Sequence, residues 1–193
     1  MLARREPITL RSLVAGTGAS TMAVYTNFDG MPGLWGAVRQ EGFRRLAERT
    51  RTVTASKDPV RHLAALGVAY VDNALANPDL QRVMFDARFD LPDPASADET
   101  FGHLIAGARR AIDIGRFSPA QEPADIALRF WASGHGIVSL AVTGVLTNTD
   151  LRRHAPIMAI ATFVDAGDRP DLARRSVKAA WRTIPSNPPR PRS

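Results

Sequence analysis

Residues 9–34 read Thr9-Leu-Arg-Ser-Leu-Val-Ala-Gly-Thr-Gly-Ala-Ser-Thr-Met-Ala-Val-Tyr-Thr-Asn-Phe-Asp-Gly-Met-Pro-Gly-Leu34. Thr9 is placed to cap a short helix carrying Leu10, Leu13 and Val14, and Gly16 and Gly18 break it. Ser20 is placed to cap a second helix with Met22, Val24, Tyr25 and Phe28, and Asp29-Gly30 closes it as a turn. Helix, glycine turn, helix is the layout of a unit that lays its second helix in a DNA major groove. A plain helical hairpin inside a core satisfies the same pattern.

A reading helix needs small and polar side chains at its N-terminal end, where it meets base edges. Ser20, Thr21, Met22 and Ala23 supply them. Backbone anchoring needs hydroxyls, amides and cations near helix ends, and Thr9, Arg11, Tyr25, Thr26 and Asn27 are candidates for it. Val24 and Phe28 are left to pack on Leu10 and Leu13.

The charge distribution suits a nucleic-acid reader joined to a different body. Residues 1–54 carry eight arginines against four acids, a net of +4. Residues 55–168 carry ten basic against fourteen acidic residues, a net of −4, and residues 169–193 carry seven against one, a net of +6. The 193 residues, 45% of them hydrophobic, are enough for a core of one or two domains. There is no cysteine, hence no disulfide or thiolate metal site. No apolar run approaches the roughly 20 residues that span a bilayer, and Met1–Ile8 contains no signal-peptide core. No membrane association and a cytoplasmic location are expected.

Helical periodicity dominates, so the expected fold is all-α. From Pro32 a helix runs to about Arg51. Asp58-Pro59 opens another, with Leu63, Leu66, Tyr70, Val71 and Leu75 in register, ended by Asn77-Pro78. A short helix follows over 80–85, then a loop over 91–97, then a helix over 98–114 stopped by Gly115. The most apolar helix is expected over 123–146, a loop over 147–150, a helix over 151–166, and a last helix capped by Asp168 that carries Leu172, Val177, Ala180, Trp181 and Ile184. Four prolines in 185–193 point to a disordered tail. The organisation expected is a DNA-reading unit with its connecting helix over 1–50, a larger helical domain over 55–185, and a tail over 186–193.

The helix over 123–146 has two apolar stripes. One is Trp131, Gly134, His135, Val138, Ala141, Val142 and Val145; the other is Ile126, Phe130, Ile137, Leu140 and Gly144. Two stripes imply burial on two sides, one facing the interior and one a partner subunit. His135 is either a core histidine bonded to a nearby acceptor or, with Trp131, part of an effector pocket. The four histidines show no ligand spacing, so no metal is expected. Tyr70, Met84, Phe85, Phe89, Phe101 and His103 are further pocket candidates, each also consistent with ordinary core. An apolar lining with few polar groups suits a small hydrophobic effector. No nucleophile–base pair or glycine-rich phosphate loop is visible, so neither an enzyme nor a cofactor is expected.

Thr9-Leu10, Leu13-Val14, Gly18, Tyr25-Thr26-Asn27-Phe28 and Leu34 together resemble the DNA-binding motif of the TetR family of regulators. Asn27 stands where that family usually has His, and Met31 where it often has Lys. Trp131-x-x-x-His135-Gly136 and the 176–181 stretch resemble its C-terminal class named for Trp, His and Gly. The resemblance implies a homodimer formed through helices near 123–146 and 168–184. It also implies a double-stranded, pseudo-palindromic DNA operator released on binding a small effector. The family places a further helix before Thr9. Met1–Ile8, with Pro7 among them, is too short for it, so that first helix is expected to be missing. The alternative function is then a dimeric ligand-binding protein with a truncated reader. Losing the first helix would uncover Leu10, Leu13 and Phe28 at roughly 1.5–3 kcal/mol per large side chain.

Overall fold

A computed structural model describes residues 9–182. Among them are nine helices: α1 Leu10–Val14, α2 Thr21–Phe28, α3 Met31–Arg51, α4 Pro59–Ala76, α5 Pro78–Met84, α6 Ala95–Asp113, α7 Pro123–Val142, α8 Asn148–Asp165 and α9 Pro170–Trp181. The described residues form no strand.

The caps explain most boundaries. Thr9 and Ser12 form a reciprocal capping box at α1, and the Ser20 hydroxyl accepts from Ala23 N at 3.1 Å to start α2. Asp58 Oδ1 accepts from the backbone of Val60 and Arg61 at the head of α4. Prolines near the first turn of α3, α4, α5, α7 and α9 cost nothing there, because those amides lack helical partners anyway.

Four expectations need correction. The 147–150 segment is the start of α8, because Thr147 and Asp150 close a second capping box. Helix α6 begins at Ala95 instead of 98, and α7 ends at Val142 instead of 146. Asp168 does not cap α9: Arg169 occupies that position, and Asp168 is buried. Asp168 pairs with Arg116, whose Nε and Nη2 donate to its two oxygens at 2.7 and 2.6 Å. Arg116 also donates to Asp58 at 3.0 Å, and the Ser176 hydroxyl donates to Asp58 at 2.5 Å. One part-buried cluster thus ties the start of α4 to the α6–α7 and α8–α9 connections and to α9. Ile184 and the tail over 186–193 lie outside the described residues.

The body packs around α4, which touches α3, α6, α7 and α9. One half of the core gathers Leu63, Leu104, Phe117, Ile126, Phe130, Phe163 and Val177. The other gathers Phe43, Leu46, Tyr70, Val71, Met84, Val138 and Leu151. Helix α3 supplies Phe43 and Leu46 to this second half, while its N-terminal part packs on α2. It is therefore one continuous rod between the helix-turn-helix and the body. The rod is pinned by Arg39, whose guanidinium donates to the Met84 carbonyl at 2.9 Å and the Phe89 carbonyl at 2.5 Å.

Candidate functional site

The head is small and open. Helix α1 buries no side chain and α2 buries only Val24. Met22 is 70% and Tyr25 56% exposed, and Phe28 is at the edge of exposure. Ser20, Thr21, Thr26, Asn27 and Arg11 are exposed, and Ala23 is half-buried. Several of the polar groups are engaged within the unit. The Thr26 hydroxyl donates to Met22 O, and Asn27 Nδ2 donates to Ala23 O at 2.8 Å. These bonds reinforce α2, and the solvent-facing side of α2 presents Thr21, Met22 and Tyr25 together.

The body contains a cavity of about 70 Å³, mostly apolar. Its wall is built from six helices. Leu46 and Thr50 come from α3, Leu66, Gly67 and Tyr70 from α4, Leu104 from α6, Phe130, Trp131 and Gly134 from α7, and Ala155 and Ala159 from α8; Trp181 closes it. Gly67 permits the approach of α7: a Cβ there would stand 2.8 Å from Phe130 Cζ. A larger, solvent-open groove of about 720 Å³ lies by the α3–α4 loop, walled by Arg49, Lys57, Arg61 and Asp72. Its exposure to solvent and its charge make it a poor container for an apolar molecule.

A polar network borders the cavity. Gln81 Nε2 donates to the Tyr70 hydroxyl at 2.6 Å, and that hydroxyl lies 2.8 Å from His135 Nδ1. His135 Nε2 lies 3.3 Å from the Ser139 hydroxyl. Burial pushes the His135 imidazole below its usual value and the Tyr70 phenol above its own, the latter partly offset by the bond from Gln81. Both groups are therefore neutral at neutral pH. The consistent bonding is Gln81 N–H to Tyr70, Tyr70 O–H to Nδ1, and Nε2–H to Ser139.

The eight pocket candidates separate on this geometry. Tyr70 and Trp131 line the cavity. Phe85 and His135 stand just behind them: their rings are 4.3 Å apart, and each packs on Tyr70 and Trp131. Phe89 and His103 do not line the cavity. Phe89 stacks on Trp35 at 5.4 Å, outside the wall, and His103 stands near Glu99 on α6. Phe101 backs Trp131 at 6.2 Å, and Met84 packs under Gly42. The sequence reading misses Leu46, Thr50, Gln81 and Trp181, which approach across large chain separations that leave no local pattern. Gly67 inside an apolar helix is the signal that could have been used. Among the described residues there is no cluster of three metal-ligating side chains, and no helix is long and apolar enough to cross a membrane.

The exposed large apolar side chains on helices of the body are on α7 and α8, with Ile114 and Val145 exposed in the connections after α6 and α7. Leu128 and Leu140 share one face of α7 with Ala132 and Gly136, at steps of four residues, and Ile157 lies on α8. Helix α9 instead turns Ala173, Val177 and Ala180 inward and shows Arg174, Arg175 and Lys178 to solvent.

The chain is similar to several solved structures. A protein of unknown function from Rhodococcus sp. RHA1 superposes with a TM-score of 0.69 at 23% identity, covering 83% of this chain and 86% of that one. The protein SCO4313, described as regulatory, gives 0.60 at 25% identity, covering 82% and 84%. RolR (NCgl1110), solved with its ligand resorcinol, gives 0.60 at 17% identity, covering 96% and 89%. No curated protein sequence matches the chain. Residues 63–162, more than half of the chain, match the family described as tetracycline repressor-like, C-terminal domain. Together with the all-helical architecture, that match means the chain belongs to the TetR family of regulators.

Proposed function

We propose that this chain is a homodimeric, ligand-responsive transcriptional regulator that reads an operator through α2 and releases it when a small, largely apolar effector enters the cavity. The observation that carries this reading is the path of α3. Leu46 and Thr50 form part of the cavity wall, and the same helix packs on α2 at its other end. The cavity is smaller than the roughly 150 Å³ of an engineered cavity that takes up benzene. A ring can enter only by displacing wall residues, and the interior is packed too densely to absorb this locally. Displacement at Leu46 and Thr50 shifts α3, and with it the spacing of two recognition helices in a dimer. Trp131 and His135 belong to this reading on the cavity side of α7, while Gly136 lies on its exposed face.

The exposed faces of α7 and α8 support pairing of two copies through a four-helix contact, with α8 replacing the segment near 168–184. A cytoplasmic protein that needs no cofactor fits this role.

The sparse packing of α1 favours a second reading, a dimeric ligand-binding protein whose head does not hold DNA. A gel shift with the intergenic duplex upstream of its own coding region separates the two. The regulator gives a specific band that a small phenolic or alkylbenzene ligand weakens. The ligand-binding protein gives no specific band, although calorimetry still detects the ligand.

A further inference from the structure

Gly134 lies at the centre of the inward face of α7. Ala127 and Phe130, seven and four residues before it, and Ile137 and Val138, three and four after it, are all buried. The exposed stripe of Ala132, Gly136 and Leu140 is on the other side of the helix. A Cβ at 134 would therefore point inward, yet it would meet no described heavy atom within 4 Å. The space it would enter is the cavity, whose wall includes Gly134. The usual reasons for a glycine do not apply there. Its backbone is helical and has no positive φ. No neighbour needs the room either. At Gly67 and Gly107 a Cβ would stand 2.8 Å from Phe130 Cζ and 2.7 Å from Leu63 Cδ2, whereas at Gly134 it meets nothing. Glycine in mid-helix is less stable than alanine, so position 134 carries a cost that the packing of the empty protein does not call for. Gly102 and Gly136 are equally free of neighbours, but neither is part of the cavity wall.

Resting on the effector reading above, we infer that Gly134 is where an uncharged, single-ring effector lies against α7, and that the missing side chain sets the size of molecule the cavity takes. A glycine lets a ligand approach the backbone closely. A flat ring over Gly134 lies beside Phe130 and Trp131, one turn back on the same helix and part of the same wall. The wall holds no charged side chain, which excludes an ionic ligand. The cavity, about 70 Å³, already has to widen to admit a ring. A methyl group at 134 takes space from that ring, while the empty protein has room for it. Gly134→Ala therefore weakens binding without weakening the fold. At a glycine that serves packing, the same change weakens the fold as well.

Titration calorimetry of the full-length protein with toluene and phenol, beside thermal melts without ligand, tests this. Gly134→Ala is expected to bind both rings about tenfold more weakly than wild type, the effect of crowding one methyl into a filled site. Its Tm without ligand is expected to equal or exceed that of wild type, because alanine suits a helix better than glycine. Gly102→Ala puts a methyl in open space away from the wall and is expected to bind as wild type does. Unchanged affinity in Gly134→Ala overturns the inference and leaves the effector cavity standing. A lower Tm for Gly134→Ala marks a packing glycine and overturns it too. So does an equal loss of affinity in Gly102→Ala, which would come from a stiffer helix and not from lost space. Failure of wild type to bind either ring overturns the cavity reading together with the inference.

Discussion

The Tyr70 hydroxyl lies 2.8 Å from Nδ1 of His135, so a helix of the central layer and the cavity side of α7 share one hydrogen bond. Burial lowers the pKa of His135 from its ordinary 6.5. The unfolded chain therefore binds a proton on this residue at a pH where the folded chain does not. The stabilisation is complete above about pH 6.5 and is lost as pH falls below it. His62 is shifted in the same direction, also by burial, so wild type carries both effects. His135→Gln is expected to flatten, without abolishing, the fall of Tm between about pH 7 and 5. An unchanged slope in thermal melts would show that His135 titrates as an ordinary imidazole.

Arg116 has two acidic partners, and the Asp168 side chain is only 1% exposed. Arg116→Met leaves a buried carboxylate without its cation and is expected to cost about 3–5 kcal/mol in urea unfolding. Arg174→Met, on the exposed face of α9, is expected to stay within about 0.5 kcal/mol. Similar values for the two would contradict the role given to the cluster.

Gly42 of α3 stands directly over Met84, where a Cβ would collide with the Met84 side chain. Gly42→Ala forces α3 away from α5 and is expected to cost about 1–3 kcal/mol. Combining it with Met84→Ala is expected to cost less than the sum of the two single changes, a coupling that a double-mutant cycle measures directly.

Leu140 is 44% and Ile157 56% exposed, on neighbouring helices. If two copies pair through this face, Leu140→Arg together with Ile157→Arg yields a folded monomer in sedimentation velocity. Arg175→Glu on α9 leaves the dimer intact. Dissociation by the α9 substitution alone would return the interface to that helix.

The parts legible in the sequence are the local ones. Thr9, Ser20 and Asp58 read as caps because a cap bonds within three residues, and each does so. Asp168 looks like a cap by the same rule, since Pro170 follows it. Its partner, however, is Arg116, 52 positions away, and that pairing leaves no trace in the local pattern. The cavity follows the same division. Tyr70 and Trp131 are aromatic residues on apolar helix faces and are visible as candidates. Leu46, Thr50 and Trp181 join them only through the packing of α3 and the close of α9 against α4. Phe89 has the right chemistry, yet Trp35 holds it elsewhere.

In the proposed role, the exposed side of α2 reads a DNA sequence. Fluorescence anisotropy measures this with two duplexes, the intergenic segment upstream of the coding region and a scrambled version of equal composition. Binding to the native duplex is expected to be at least about a thousandfold tighter at physiological salt, with most of that preference lost when Thr21→Ala and Met22→Ala are combined, whereas Tyr25→Ala weakens binding to both duplexes alike. Equal affinity for the two duplexes would contradict the role given to α2.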